Sequence, residues 1–357
     1  MTRPACAHIE LGALQHNLTR VRQMAPESRI IAVIKANAYG HGLVQVAQAL
    51  DAADAFGVVG LDEAINLREA GCEQRIVLLE GLFSAADIAL VCGYRLDLVI
   101  HNDFQLDLVE QGQLTRPVDV WLKIDTGMHR LGFAPAGVDA ALARLQALQH
   151  IGTVRYMTHF ARADEADADY TASQIATFQA TLGTRDGERT LANSAAVLAW
   201  PAAHADWVRP GIMLYGSSPI AGKSAAQLDL RPAMSLCSKL IAVAQRRKGD
   251  AVGYGGDWAC PEDMQIGVAA IGYGDGYPRH APPGTPVLVN GQRAALAGRV
   301  SMDMICIDLR NCTQACIGDE VIVWGDGLPV DDIACAAGTI AYEMLSGVSS
   351  RVQYHYR

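Results

Sequence analysis

Short apolar runs rich in β-branched residues recur through the first two thirds of the chain, at 30–34, 56–59, 76–79, 98–100, 118–124 and 154–157. Near-continuous runs of this kind mark parallel strands buried on both faces. Stretches with helical spacing lie between them. In 62–71, an acidic start at Asp62 and Glu63, apolar residues at helical spacing and a closing Gly71 supply both ends of a helix. Two weaker strands, 191–194 and 207–214, bring the count to eight by about residue 215. This is the rhythm of an α/β fold of the (β/α)8 TIM-barrel type, with a doubly wound open sheet as the competing arrangement.

After about residue 230 the texture changes. Alternating strands punctuated by glycine are expected at 266–271, 287–289, 304–309 and 320–324, with no helices between them and one late helix at 331–345. The Ser-, Ala-, Gly- and Pro-rich stretch 217–227 is the expected joint. The reading is therefore a barrel domain over 1–228 and a mostly β C-terminal domain over 229–357.

Composition narrows the function classes. Lys and Arg total 29 against 38 Asp and Glu, a formal charge of -9, so there is no basic surplus for a nucleic-acid backbone. Half of the residues are hydrophobic and 19% are charged, enough for packed cores across 357 residues. No apolar run reaches the roughly 18 residues of a membrane helix, and the start of the chain lacks a signal-like stretch. The nine cysteines form no regular framework, and Cys312 and Cys316 lack a second pair, so no metal is expected at the site. Reduced thiols and a cytoplasmic location follow as expectations.

In a barrel, the loops after the strands carry the chemistry. The strand at 30–34 runs into Lys35-Ala36-Asn37-Ala38-Tyr39-Gly40-His41-Gly42. A lysine leaving a buried strand is either a snorkelling rim residue or an amine desolvated for use, the usual source of Schiff-base nitrogen. Tyr39 adds a hydroxyl, and Gly40 and Gly42 allow close backbone approach to a ligand, which together favour a cofactor site.

The segment Val33 to Gly42 resembles the pyridoxal-phosphate attachment motif of bacterial alanine racemases, and further matches extend over nearly the whole chain. The opening Met1-Thr2-Arg3-Pro4 and the run Gly272-Tyr273-Gly274-Asp275-Gly276-Tyr277-Pro278-Arg279 look most like the proteobacterial branch that includes the catabolic enzyme. The resemblance implies a cytoplasmic homodimer that interconverts L- and D-alanine, the latter a peptidoglycan precursor. Pyridoxal 5'-phosphate would be held by Lys35 as a Schiff base. Racemisation needs proton transfer on both faces of a planar carbanion, so a second group must face Lys35. The family supplies a tyrosine from the neighbouring subunit, which falls on Tyr254 in Val252-Gly253-Tyr254-Gly255-Gly256; read alone, that turn is a structural corner.

By the same resemblance, Arg209 faces the cofactor's pyridine nitrogen, where a guanidinium that keeps its proton weakens the electron sink. Tyr39, Ser194, Tyr342 and the backbone at Gly211 and Ile212 would hold the phosphate, and His159 would lie beside the ring. Arg130 would serve the phenolic oxygen and the substrate carboxylate, with Lys123 carbamylated to pair with it. Met302 would bring a backbone N–H to the substrate, and Tyr273 and Tyr342 would narrow the entrance to suit a methyl side chain. Taken singly, Arg209, Ser194, Lys123 and His159 read as a salt-bridged arginine, an ordinary polar residue, a strand-end lysine and a core histidine. Thr190 stands where some relatives carry histidine. A serine, lysine or broad-specificity racemase, a non-catalytic cofactor-binding protein and a decarboxylase on a related barrel remain as alternatives.

Overall fold

The computed structural model describes residues 3–112, 114–165 and 168–357, so Met1 and Thr2 of the opening tetrapeptide lie outside the described residues. The chain begins with a short strand, β1 (Cys6–Ile9), and a helix, Leu11–Met24. Eight parallel strands then close into a barrel: β2 (Arg29–Val33), β3 (Ala55–Val58), β4 (Arg75–Leu78), β5 (Asp97–Ile100), β6 (Val118–Lys123), β7 (Ile151–Met157), β8 (Arg189–Asn193) and β9 (Trp207–Arg209). Closure excludes the open doubly wound sheet. It follows from burial on both faces: alternate positions such as Ile31, Val77, Val99 and Trp121 fill the barrel while Ile30, Ile76 and Leu98 meet the surrounding helices.

The expected strand 207–214 is shorter than its apolar run. Pro210 offers no N–H to the ladder, and the chain turns into a 3-10 helix at Ile212–Tyr215. That early turn carries the backbone of Gly211 and Ile212 across the barrel mouth.

Ion pairs fill the opposite end of the barrel. Arg75 pairs with Asp97 and, at 2.7 Å, with Asp119; Arg155 bridges Asp119 at 2.9 Å and Glu188 at 2.6 Å. Trp121 Nε1 donates to Asp97 at 3.0 Å and Trp207 Nε1 to Glu188 at 2.9 Å. Burial would raise the Glu188 carboxyl, but hydrogen bonds from Arg29, Trp207 and Arg155 outweigh it and hold the group down at about 2. The floor is thus satisfied charge by charge, and the open mouth is left for chemistry.

The C-terminal region contains β10 (Met234–Arg246), β11 (Ala251–Val252), β12 (Trp258–Ala259), β13 (Met264–Ala269), β14 (Pro286–Val289), β15 (Gln292–Leu296), β16 (Ile305–Asp308), β17 (Glu320–Trp324) and β18 (Gln353–Tyr356). An eight-stranded sheet has the order β13-β16-β15-β14-β17-β10-β1-β18. Strand β1, inside the segment read as barrel, therefore belongs to this sheet: Cys6 stands opposite Cys237 on β10, and His8 is paired in parallel with His355 on β18. The expected late helix is two helices, Val330–Ala337 and Ala341–Ser346, because Gly338 takes φ 70° and ends the first. At the joint, Ser217 Oγ donates to Asp331 Oδ1 at 2.6 Å, tying the link to the first of these helices.

Candidate active site

The site begins in the turn that follows β2. Ala36, Asn37, Ala38 and Tyr39 all have left-handed backbone angles, φ between 51° and 54° and ψ between 40° and 54°. A left-handed turn of L-residues costs roughly 1–2 kcal/mol per residue, so the surroundings must hold it. They do so with specific bonds. The Ala38 N–H donates to Ile34 O at 2.8 Å, Leu43 N–H to Asn37 Oδ1 at 2.9 Å, and Asn37 N–H to Glu63 Oε1 at 3.1 Å. His41 contacts Tyr39 O through Nδ1 at 2.9 Å, and burial pushes its imidazole down to about 4, so it stays neutral. Gly40 closes the turn at φ 80°, where a Cβ would collide with the Leu345 carbonyl of helix Ala341–Ser346. This contact docks the helix that carries Tyr342 onto the segment that carries Lys35.

Lys35, Tyr39, Lys123, Arg130, His159 and Arg209 line one cavity of about 490 Å3 at the C-terminal ends of the barrel strands. Ser194, Gly211, Ile212 and Tyr342 complete the set of expected residues found there. Glu80 is the one carboxylate among the lining residues, against the four cations of Lys35, Lys123, Arg130 and Arg209. The electrostatic consequence is direct. Burial, then the charges of Arg209, Arg130 and Lys35, push the Lys123 amine down to about 8. Burial followed by the same cations keeps His159 well below its ordinary value, hence neutral. A cavity so charged is built for an anionic ligand.

Arg209 is fully fixed. Its guanidinium donates to Thr190 Oγ1 and Thr158 O, each at 2.6 Å, and to Leu191 O at 3.2 Å, with His159 Nδ1 at 3.3 Å. Thr190 Oγ1 thus accepts a hydrogen bond from the guanidinium. Burial lowers Arg209 to about 10, still protonated at neutral pH.

The mouth over the seventh and eighth barrel strands, the usual phosphate position of this architecture, carries Ser194 and Gly211. Ser194 Oγ accepts from Gly211 N–H at 2.8 Å and Met213 N–H at 3.4 Å, so the Gly211 N–H is turned to the serine while the hydroxyl proton remains to donate. A Cβ at Gly211 would lie 2.6 Å from Tyr39 Oη, so the bare backbone there lets the phenol enter the mouth. Tyr39 also stacks on Tyr215 at 4.7 Å and lies 5.8 Å from Tyr342. Burial raises both phenols, Tyr342 to about 12, which keeps them neutral donors.

Three expected site residues lie elsewhere. Tyr254 is 68% exposed, Met302 51% and Tyr273 39%, and none lines the cavity of its own chain. Their loops adjoin: Tyr273 N–H donates to Ser301 O at 3.0 Å, Gly274 N–H to Met302 O at 2.8 Å, and Arg299 packs on Gly255. Asp275 locks the Tyr273 loop from within. Its fully buried carboxylate pairs with Arg3, lies 3.5 Å from Arg351 and accepts from Gly272 N–H at 2.9 Å. Sequence reasoning missed Glu80 and Asp275. Glu80 directly follows the run 76–79, so the strand-end rule that selects Lys35 also reaches it.

The family model described as "Alanine racemase, N-terminal domain" matches residues 9–219, and that described as "Alanine racemase, C-terminal domain" matches 233–356. The alanine racemase of Shewanella baltica is 51% identical over 347 residues, covering 97% of each chain. That of Vibrio cholerae is 50% identical, covering 99% of this chain and 98% of its own. A crystal structure described as the biosynthetic alanine racemase from Pseudomonas aeruginosa superposes with a TM-score of 0.97 at 49% identity, with both chains fully covered.

Proposed function

The chain belongs to the alanine racemase family, and from that premise we propose that it is an isomerase interconverting L- and D-alanine with pyridoxal 5'-phosphate. The observation that carries the reading is Lys35 at the end of β2, facing a cavity in which four cations meet one carboxylate. The residues present fit that cofactor. An amine is available for its aldehyde, hydroxyls and cations for its phosphate, and the Gly211 backbone leaves the space a Cβ would fill. When bound, the cofactor supplies an electron sink that acidifies the α-carbon of the amino acid joined to it.

The chain's own groups do the rest. Lys35 anchors the cofactor and exchanges a proton at the substrate α-carbon from one face. Tyr39, Ser194 and Tyr342 donate to the phosphate, with the backbone at Gly211 and Ile212 alongside. Arg209, held by Thr190 and two carbonyls, would offer a proton it does not release to the pyridine nitrogen, and neutral His159 would lie beside the ring. Arg130 receives the substrate carboxylate.

The opposite face is served by Tyr254 of a second copy, together with the Met302 backbone N–H and the entrance residue Tyr273. Their exposure in the single chain and the adjoining of the loops that carry them support a homodimer with shared sites. Tyr273 and Tyr342 leave room for a methyl side chain. We place the enzyme in the cytoplasm, where it either supplies D-alanine for peptidoglycan or converts D-alanine to the L-isomer for breakdown. No helix among the described residues is long and apolar enough to cross a membrane.

Turnover of a panel of L-amino acids by holoenzyme tests the substrate: D-alanine should form fastest. Faster turnover of serine or lysine would overturn alanine, absence of any D-isomer would leave a cofactor carrier, and CO2 release would mean a decarboxylase.

Lys123 is proposed to add CO2 and pair as a carbamate with Arg130. The amine nitrogen attacks the carbon of CO2 and loses a proton to solvent, so only the neutral amine reacts. With the group lowered to about 8, the neutral fraction rises as pH climbs through that value. A carbamate resonance from 13C-bicarbonate should therefore grow between neutral and mildly alkaline pH and vanish in Lys123→Ala. An identical signal in the variant would exclude Lys123.

A further inference from the structure

A second cluster of metal-competent groups lies in the eight-stranded sheet, within β1, β10 and β17 and independent of the barrel cavity. His8, Cys237 and Glu320 each offer a ligand atom, and the three atoms lie within 4.8 Å of one another. These strands are adjacent in the order β17-β10-β1, and the cross-strand register brings the three side chains to one patch: Cys6 opposite Cys237, His8 opposite Ser235, and Glu320 opposite Lys239. We propose that His8, Cys237 and Glu320 form a binding site for a divalent cation of the zinc class.

The imidazole is already oriented for the task. His8 Nδ1 is buried and has no hydrogen-bond partner, an expensive condition for a ring nitrogen. Its other nitrogen, Nε2, lies 3.5 Å from Cys6 Sγ. In the tautomer protonated at Nε2, toward that sulfur, the Nδ1 lone pair is left without a protein partner. Stacking on the His355 ring at 5.3 Å restrains the plane.

The donor set selects the cation. A thiolate and an imidazole with one carboxylate suit zinc, whereas calcium and magnesium demand oxygen ligands. Cys237 is 3% exposed and lies at the bottom of the patch, and Glu320 is exposed at its edge, giving the ion a path from solvent. The Cys237 thiol must surrender a proton to solvent on binding. Three protein ligands leave a fourth position for water. The ion would clip the N-terminal strand β1 to β10 and, across it, to β17 of the C-terminal sheet.

The test uses holoenzyme stripped with a chelator and dialysed to equilibrium against free Zn2+, with metal content measured per chain. Wild type should hold one zinc more than Cys237→Ala and than Glu320→Gln, and its Tm should rise with zinc while theirs does not. Glu320→Gln changes an exposed side chain, so it keeps the comparison valid if Cys237→Ala folds poorly. Exposed Cys316 and Cys335 bind adventitious zinc equally in all three proteins and cancel. Retention of the wild-type zinc content by either variant, or no zinc in wild type, overturns the site.

Discussion

Lys35→Ala is expected to remove racemisation, with the loss of the proton-transfer group alone lowering kcat/KM by about 10²- to 10⁴-fold. The covalent anchor disappears with it, so the visible absorbance of the lysine-bound cofactor should vanish as well. The structure explains why no neighbour replaces the amine. Lys35 stands at the start of a four-residue left-handed turn whose backbone is bonded to Ile34, Leu43 and Glu63, so its position is fixed by the fold. Lys123 is the other lysine in the cavity, but it leaves β6, on another part of the barrel wall, where Arg209 and Arg130 crowd it. Borohydride reduction of holoenzyme followed by peptide mapping should label Lys35. A retained absorbance band in Lys35→Ala with label on Lys123 would reverse the assignment.

Much of this site is legible in the order of residues along the chain, and the reasons are local. The barrel strands announce themselves because burial on both faces demands continuous apolar runs, and Lys35 stands out as the first charge after such a run. Strand β1 is not legible in the same way. Its four residues alternate between half-buried and buried positions, and their partner on β10 lies more than two hundred residues away, beyond any local signal. The left-handed turn is also hidden. Ala36, Asn37, Ala38 and Tyr39 carry no glycine, and bonds to Ile34, Leu43, Glu63 and His41 hold the conformation. The break at Gly338 is marked by its glycine, yet the apolar spacing continues across it and suggests one helix. For Tyr254, Tyr273 and Met302, a single chain's pattern holds nothing that fixes a place opposite a barrel, because in the proposed dimer the facing surface would come from a second copy.

That division of labour makes Tyr254→Phe the most discriminating substitution. Loss of the opposite-face group should lower racemisation about 10²- to 10⁴-fold. It should do so equally for both substrates, because L- and D-alanine are equal in free energy and the ratio of kcat/KM in the two directions is fixed. Isotope exchange carries the asymmetry instead. In D2O, the isomer whose α-proton faces Lys35 should still exchange that proton with solvent and return as itself, while the other isomer should not. Equal residual exchange of both isomers would remove Tyr254 from the opposite face. The shared site has an arithmetic signature as well. In a random mixture of Lys35→Ala and Tyr254→Phe chains, half of the dimers are mixed, and each mixed dimer rebuilds one complete site and one doubly defective site. Activity should therefore recover to about one quarter of wild type in a two-fold dimer with sites shared across the interface. Were both groups drawn from the same chain, every site in the mixture would lack one of them, and mixing would restore nothing.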